Sequence, residues 1–302
     1  MLIVPGSINA DLLFKVEHLP RPGETVLCPG YVMAPGGKGA NQAAAAAKAG
    51  ARVVFVGHVG DDAYGPVVRG LLEEAGVDCA HLRVSARPTA IAVIGVDAAG
   101  ENAIIVASGA NLDTAAAHVP DDLLGPGATV LCQNEIRSEE SLAALRRAKE
   151  RGARAILNLA PAGPVPDDAL AALDVLIVNE LEAAALAGGD GEPADLARML
   201  ASRHDLTCVL TLGAKGAIAV GRGRGFRAAP LRITPVDTTG AGDAFAGVLA
   251  AWLDGGADLP EALAAASVGA ALTCEGVGAQ TAQPTRAMIE ARLPDLPAVV
   301  AL

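Results

Sequence analysis

Five short apolar runs alternate with helix-compatible stretches, and this alternation constrains the chain more than any other feature. The runs are RVVFVG (52–57), ATVLCQ (128–133), RAILNL (154–159), DVLIVN (174–179) and TCVLTLG (207–213). A strand with one wet face would alternate apolar and polar residues. These do not, so they predict parallel strands covered by helices on both faces. Between them lie KGANQAAAAAKAG, PVVRGLLEEAG and SEESLAALRRAKERG, rich in strong helix formers, with Gly50 and Gly76 as natural stops. A serine or aspartate before several of these helices predicts an N-cap. The expected class is α/β with a mostly parallel central sheet between helical layers.

Two segments break the rhythm. Residues 10–34 hold two β-like stretches around LPRPGE, and residues 88–107 read as a hairpin turning at Ala-Ala-Gly-Glu. Without an intervening helix, they either form a small separate sheet over one edge of the main domain or extend the main sheet. From about residue 240 the tail is mostly helical. The 302 residues show no internal repeat or long linker and are expected to form one domain.

Composition narrows the function. The formal charge of −11 disfavours nucleic acid as a partner, because that binding relies on neutralising phosphates. The N-terminus, MLIVPGSINADLLF, lacks a basic n-region, and no apolar run approaches a membrane span. Cys28, Cys79, Cys132, Cys208 and Cys274 are scattered without a CxxC pair, which predicts that most are buried thiols in a reducing cytoplasm rather than zinc ligands or disulfides. The five histidines also lack ligand spacing.

Familiar nucleotide fingerprints fail. APGGKGAN has Val32 in place of the first P-loop glycine and Gly39 after the lysine, and GAGDAF has Phe245 where GxGxxG needs its third glycine. TTGAGDAFAGVLAAWL nevertheless reads as a turn feeding a helix. Gly240, Ala241 and Gly242 carry almost no side chain, so an anion can approach the first helical N–H groups, with Asp243 beside it. The alternative for Asp243 is an acidic first-turn residue that complements the helix dipole. In GSINAD, Ser7, Asn9 and Asp11 project to one side if the first strand continues, and an amide with a carboxylate can bracket neighbouring hydroxyls of a polyol. An Asx turn is the competing reading.

GSINAD, PGGKGANQAAAAAKAG, ENAIIVASGAN, LNLAPA, VNELEAAALAG, TLGAKG, DTTGAGDAF and EGVGAQ follow one another in the order seen in ribokinase-like (PfkB-type) carbohydrate kinases. The resemblance covers essentially the full length. It implies one three-layer α/β/α kinase domain over residues 1–302, with residues 10–34 and 88–107 forming a β-sheet lid that doubles as a homodimer interface. It implies that Asn9, Asp11, Gly37, Lys38, Asn41 and Glu135 bind the sugar, with Asp243 as base on the acceptor hydroxyl. Gly240, Ala241 and Gly242 would form the anion hole. Asn179 and Glu182 would organise Mg²⁺ and the ATP phosphates, with Thr211, Gly213, Gly216 and Ser267 along the nucleotide; Ser267 stands where the family often has His or Asn. Asp237, Thr239, Thr273, Gly276 and Gly278 would ligate K⁺, mostly through carbonyls. The implied reaction is phosphoryl transfer from MgATP to the 5-hydroxyl of ribose. The alternatives are another sugar or a nucleoside as acceptor, or a non-catalytic sugar sensor. A phosphorylated sugar would call on Arg83 and Arg87.

Overall fold

The computed structural model describes residues 1–302. The chain opens with β1 (Leu2–Pro5), then forms β2 (Asn9–Lys15), β3 (Tyr31–Gly36), α1 (Lys38–Lys48), β4 (Val53–Gly60), α2 (Gly65–Glu74) and β5 (Asp78–Ser85). Next come β6 (Ala90–Val96) and β7 (Asn102–Ala107), followed by short 3₁₀ turns. The chain continues through β8 (Thr129–Cys132), α3 (Ser138–Glu150), β9 (Arg154–Asn158), α4 (Asp167–Leu170), β10 (Val175–Asn179), α5 (Glu180–Ala187), α6 (Pro193–His204) and β11 (Thr207–Thr211). It ends with β12 (Ala217–Gly221), β13 (Arg224–Ala228), α7 (Ala241–Asp254), α8 (Leu259–Thr273), α9 (Arg286–Arg292) and β14 (Val300–Ala301).

Ten strands form the main sheet in the order β14-β13-β12-β11-β10-β9-β8-β1-β4-β5. Those from β11 to β5 are parallel, and β12, β13 and β14 add an antiparallel margin. Period-two alternation sends side chains to opposite faces, and each face has its own core. Leu2, Val4, Val175 and Ile177 pack with α1, α2, α7 and α8, whereas Ile3, Leu176 and Val178 pack with α3, α5 and α6. Both faces are therefore dry, which is why the strands carry no polar alternation.

The two irregular segments form a separate sheet with the order β3-β2-β6-β7. Its central pair, β2 and β6, is parallel, and each has an antiparallel neighbour. GSINAD does not continue β1: the chain leaves the main sheet at Pro5 and enters the small one at Asn9. Gly6 permits this passage, because a β-carbon there would lie 2.5 Å from Gln133 Oε1 and 2.8 Å from Gly39 Cα. Three expected cysteines, Cys79, Cys132 and Cys208, are buried, and all five thiols are free. The helix caps differ from the expectation at α3, where Ser138 lies inside the helix and its hydroxyl donates to Asn134. Asn179, Asp258 and Thr285 cap α5, α8 and α9.

Candidate active site

The sheet order reverses beside β1, with β8 on one side and β4 on the other. In open α/β sheets the C-terminal ends of the strands at such a point leave a crevice. Here the crevice lies between the two sheets. Ser7 follows β1, Glu135 follows β8, and the N-termini of α1 and α7 face the same place.

At the start of α7, Gly240 adopts φ 76°, and a β-carbon would meet Ala279 at 2.7–2.9 Å. Only glycine satisfies both conditions. The amides of Gly240, Gly242 and Asp243 donate to no protein atom, as expected of a helix N-terminus, which favours anions. Ala241 differs from the expectation, because its amide donates to Thr238 O at 3.2 Å.

Asp243 is buried, at 6% exposure, and no cation is bonded to it. Its Oδ2 accepts from Asn41 Nδ2 and its Oδ1 from Gln42 Nε2, both at 2.9 Å. Asn41 also accepts from Gln280 through Oδ1 and from Gln283 through its carbonyl. In this arrangement Asn41 braces the carboxylate.

Opposite lies the polar wall expected to bind sugar. Glu135 Oε2 accepts from the Lys38 amide and the Ser7 hydroxyl, each at 2.8 Å, and Ser7 Oγ accepts from the Gly39 amide. Gly37, at φ 87°, lets this turn pack against Ile8 and Asn9. The Asp11 carboxyl is pushed up to about 7, first by burial and then by the charges of Glu135 and Asp243, and its Oδ1 has no partner. Lys38 is raised above the ordinary lysine range. Asp243 is the main cause, burial opposes it, and Glu135 and Glu182 add to it. One ammonium thus serves several carboxylates. Asn9 Oδ1 accepts from Asn111 Nδ2 at 2.8 Å, and Asn111 Oδ1 accepts from the Ile8 amide.

Asn179 and Glu182 form a reciprocal capping box with two bonds of 2.8 Å. Glu182 is buried, which raises its carboxyl, while the Asn179 amide and Lys38 oppose the rise. One of its oxygens remains outside the box. Thr211 ends β11 and Gly213 stands in open space. Gly216, at φ 94°, leaves only 2.2 Å for a β-carbon before Ala228 O, so it serves the turn. The Ser267 hydroxyl is buried and donates to Leu263 O within α8.

Asp237 ties two loops together: its Oδ1 accepts from the Thr239 amide and its Oδ2 from the Gly278 amide, each at 2.9 Å. Burial pushes this carboxyl up, but those bonds outweigh it and hold it below the usual range. The amides of Val236 and Asp237 donate to Cys274 O, and Gly276 N donates to Thr273 O. The Thr273 hydroxyl donates to Gly269 O. The Asp237 and Thr273 side chains are thus committed to protein partners, so a monovalent cation here would draw mainly on backbone carbonyls. No cluster of three His, Cys, Asp or Glu side chains forms a metal cage. The Glu182 oxygen left outside its cap is the kind of single carboxylate ligand that a Mg²⁺ arriving with phosphates and keeping its waters would use.

Arg83 and Arg87 are both exposed, and Arg87 is paired with Asp113. Neither is among the groups gathered at the site. The sequence reading missed the amides Gln42, Gln133, Asn158, Gln280 and Asn111. Gln133 and Asn158 carried a signal, since they stand in otherwise apolar runs where an amide needs an internal partner; Gln42, Gln280 and Asn111 carried none.

The sequence profile described as pfkB family carbohydrate kinase matches residues 1–286. A ribokinase of Haemophilus influenzae is 36% identical over 292 residues, covering 94% of this chain and 95% of that protein. A deoxyribokinase of Salmonella typhi is 32% identical over 297 residues, with coverage of 94% and 95%. The structure of Arabidopsis thaliana ribokinase complexed with ribose and ATP superposes with a TM-score of 0.88 at 31% identity, covering 97% of this chain and 98% of that one.

Proposed function

The chain belongs to the pfkB family of carbohydrate kinases, and on that footing we propose that it transfers the γ-phosphate of ATP to the 5-hydroxyl of D-ribose. The observation that carries this is Asp243: a buried carboxylate without a bonded cation, held by two amides beside the free N–H groups of α7. Phosphoryl transfer through a loose transition state depends on alignment and charge stabilisation more than on a strong base. Asp243 orients the 5-hydroxyl and takes its proton as the oxygen–phosphorus bond forms and ADP departs. The amides of Gly240 and Gly242 stabilise the charge on the transferring group, and Lys38 stands close by. Asn9, Asp11 and Glu135 hold the sugar hydroxyls, and the small sheet closes over them as a lid, which excludes competing water.

Glu182, with one oxygen outside its cap, would hold a Mg²⁺ arriving with ATP, and the backbone carbonyls around Asp237 would hold a K⁺; each ion would supply positive charge against the phosphates. The chain works as one kinase domain in a reducing cytoplasm, where its five free thiols stay reduced; separately, no helix is long and apolar enough to cross a membrane. Two protomers pair through the lid, whose outer strands expose Tyr31, Val32, Ile104, Ile105 and Val106.

A 2-deoxyribose acceptor is the second reading, given the Salmonella typhi deoxyribokinase. Asp11 offers acceptor oxygens and Asn9, whose Oδ1 is taken by Asn111, its Nδ2 donor, a pairing that suits two neighbouring hydroxyls and favours ribose. The deciding experiment follows ADP release with ribose, 2-deoxyribose, fructose and nucleosides. Ribose should give the highest kcat/KM, and Asp243→Asn should lose about 10³-fold or more in kcat while still binding ribose. A wild type inert toward every acceptor would leave a sugar sensor instead.

A further inference from the structure

Helices α1 and α7 cross at backbone contact. A β-carbon on Gly247 would lie 2.4 Å from Gln42 O and 2.8 Å from Ala45 Cβ, with Ala46 N at 3.1 Å. Gly247 is one helical turn beyond Asp243, on the same face. The close crossing therefore seats Gln42 against the Asp243 carboxylate. Gln42 is fully buried within an alanine run, Ala40 and Ala43–Ala46, where an apolar side chain would pack without any polar demand.

Both N–H donors and the oxygen of its amide are engaged. Nε2 donates to Asp243 Oδ1 at 2.9 Å and to Asn158 Oδ1 at 2.8 Å, and Oε1 accepts from Gln133 Nε2 at 2.9 Å. Rotating the amide would set its oxygen against two acceptors and its NH₂ against a donor, so the network fixes one orientation. The network is itself held from below, because Asn158 Nδ2 donates to Ile177 O and Ser141 Oγ donates to Gln133 O. It also leaves Gln133 Oε1 buried without a partner. A half-satisfied buried network is less stable than an apolar core, so its presence points to a task.

We propose that Gln42 is a positioning residue for phosphoryl transfer: it fixes the plane of the Asp243 carboxylate through Oδ1, with Gln133 and Asn158 locking Gln42 in turn. Asn41 holds Oδ2, so the remaining lone pairs are aimed rather than free to rotate. This rests on the reading of Asp243 as the proton acceptor. The charged groups that act on Asp243 are Lys38 from α1 and Asp11 from β2, and neither bonds to it directly.

The test uses the full chain with ribose and MgATP. Gln42→Met keeps the length and removes both N–H donors. The expected result is a kcat about 10- to 100-fold lower, with the KM for ribose within about twofold. Gln42→Glu keeps the acceptor for Gln133 but sets a second carboxylate against Asp243, and its loss should be greater at pH 8 than at pH 6. A purely structural role would lower Tm and the fraction of ribose-binding sites, leaving kcat per site unmoved; that result in either folded variant overturns the proposal. Independently of variant folding, the Gln42 side-chain NH₂ signals of the wild type should shift in Asp243→Asn, and unchanged signals would also overturn it. If the wild type phosphorylates ribose while the Gln42 variants match it, this inference fails and the kinase reading stands.

Discussion

The carboxylate of Asp11 lies against Cα of Gly36, so closely that a β-carbon there would come within 2.1 Å of Asp11 Cγ and both oxygens. The two residues are diagonal neighbours on β2 and β3, where Asp11 pairs with Ala34 and Asn9 with Gly36. Gly36→Ala must therefore displace the carboxylate. The KM for ribose should rise about tenfold or more, with kcat changed less than about threefold, because a ground-state contact is lost. Steady-state kinetics at saturating ATP would check this.

Asp11 also sets a pH dependence. Its carboxyl is raised from 3.8 to about 7, so the folded chain holds this proton more tightly than the unfolded one. The associated stability is fully present below pH 3.8, declines as pH rises, and is gone above about 7. Asp11→Asn cannot ionise. Its Tm advantage over the wild type should grow between pH 4 and pH 7 and then level off. Ribose affinity in the wild type should strengthen over the upper part of that interval, as the carboxylate becomes available to accept hydroxyl protons, and this should vanish in Asp11→Asn. Thermal melts and calorimetric titrations across pH would separate the two effects.

Gly240→Ala combines a left-handed backbone with a clash against Ala279. The start of α7 must shift, taking the free amides with it. A loss of about 10²–10³ in kcat is expected, of the size seen when one oxyanion donor is removed, with ribose binding retained. An unchanged kcat would remove these amides from the reaction.

Asp237 clasps the loops at Thr239 and Gly278. If those loops hold K⁺ by their carbonyls, wild-type kcat should be several-fold higher in KCl than in choline chloride. Asp237→Ala should abolish the difference. Retained K⁺ activation in that variant would place the ion elsewhere.

Ile105, 73% exposed on the edge strand β7, tests the lid interface. Ile105→Lys should convert a dimer to monomers in sedimentation velocity, because a charge at a dry strand edge opposes pairing. A wild type that sediments as a monomer would dismiss this interface.

Much of the frame was legible because the apolar runs had a single physical reading. Leu176 and Val178 serve one core while Val175 and Ile177 serve the other, and no strand with a wet face has that pattern. The glycine stops at 50 and 76 were equally plain, both with positive φ in the structure. The crossing at Gly6–Ile8 was not legible, since its cause is steric: Gln133 and Gly39, remote in sequence, leave no room for a side chain. The parallel pairing of β2 with β6 joins segments some eighty residues apart, and local pattern carries no trace of that register. The amides around Asp243 were missed for a related reason. Gln42 in an alanine helix looks like a solvent-facing residue until α7 is laid across it. Asn179 and Glu182 were read as a phosphate-organising pair, and the structure shows them also bonded to each other as the cap of α5.

The small sheet is joined to the large one by four separate stretches of backbone: Gly6–Ile8, Gly36–Gly37, the segment before Ala90 and the segment after Ala107. A flap on one stalk can swing, whereas a plate fastened at four points can only rock about the line of its fastenings. Asn9 stands at that line opposite Gly36 and Ala90, with Gly37 next along the chain, so a molecule held there would press on the axle rather than the rim.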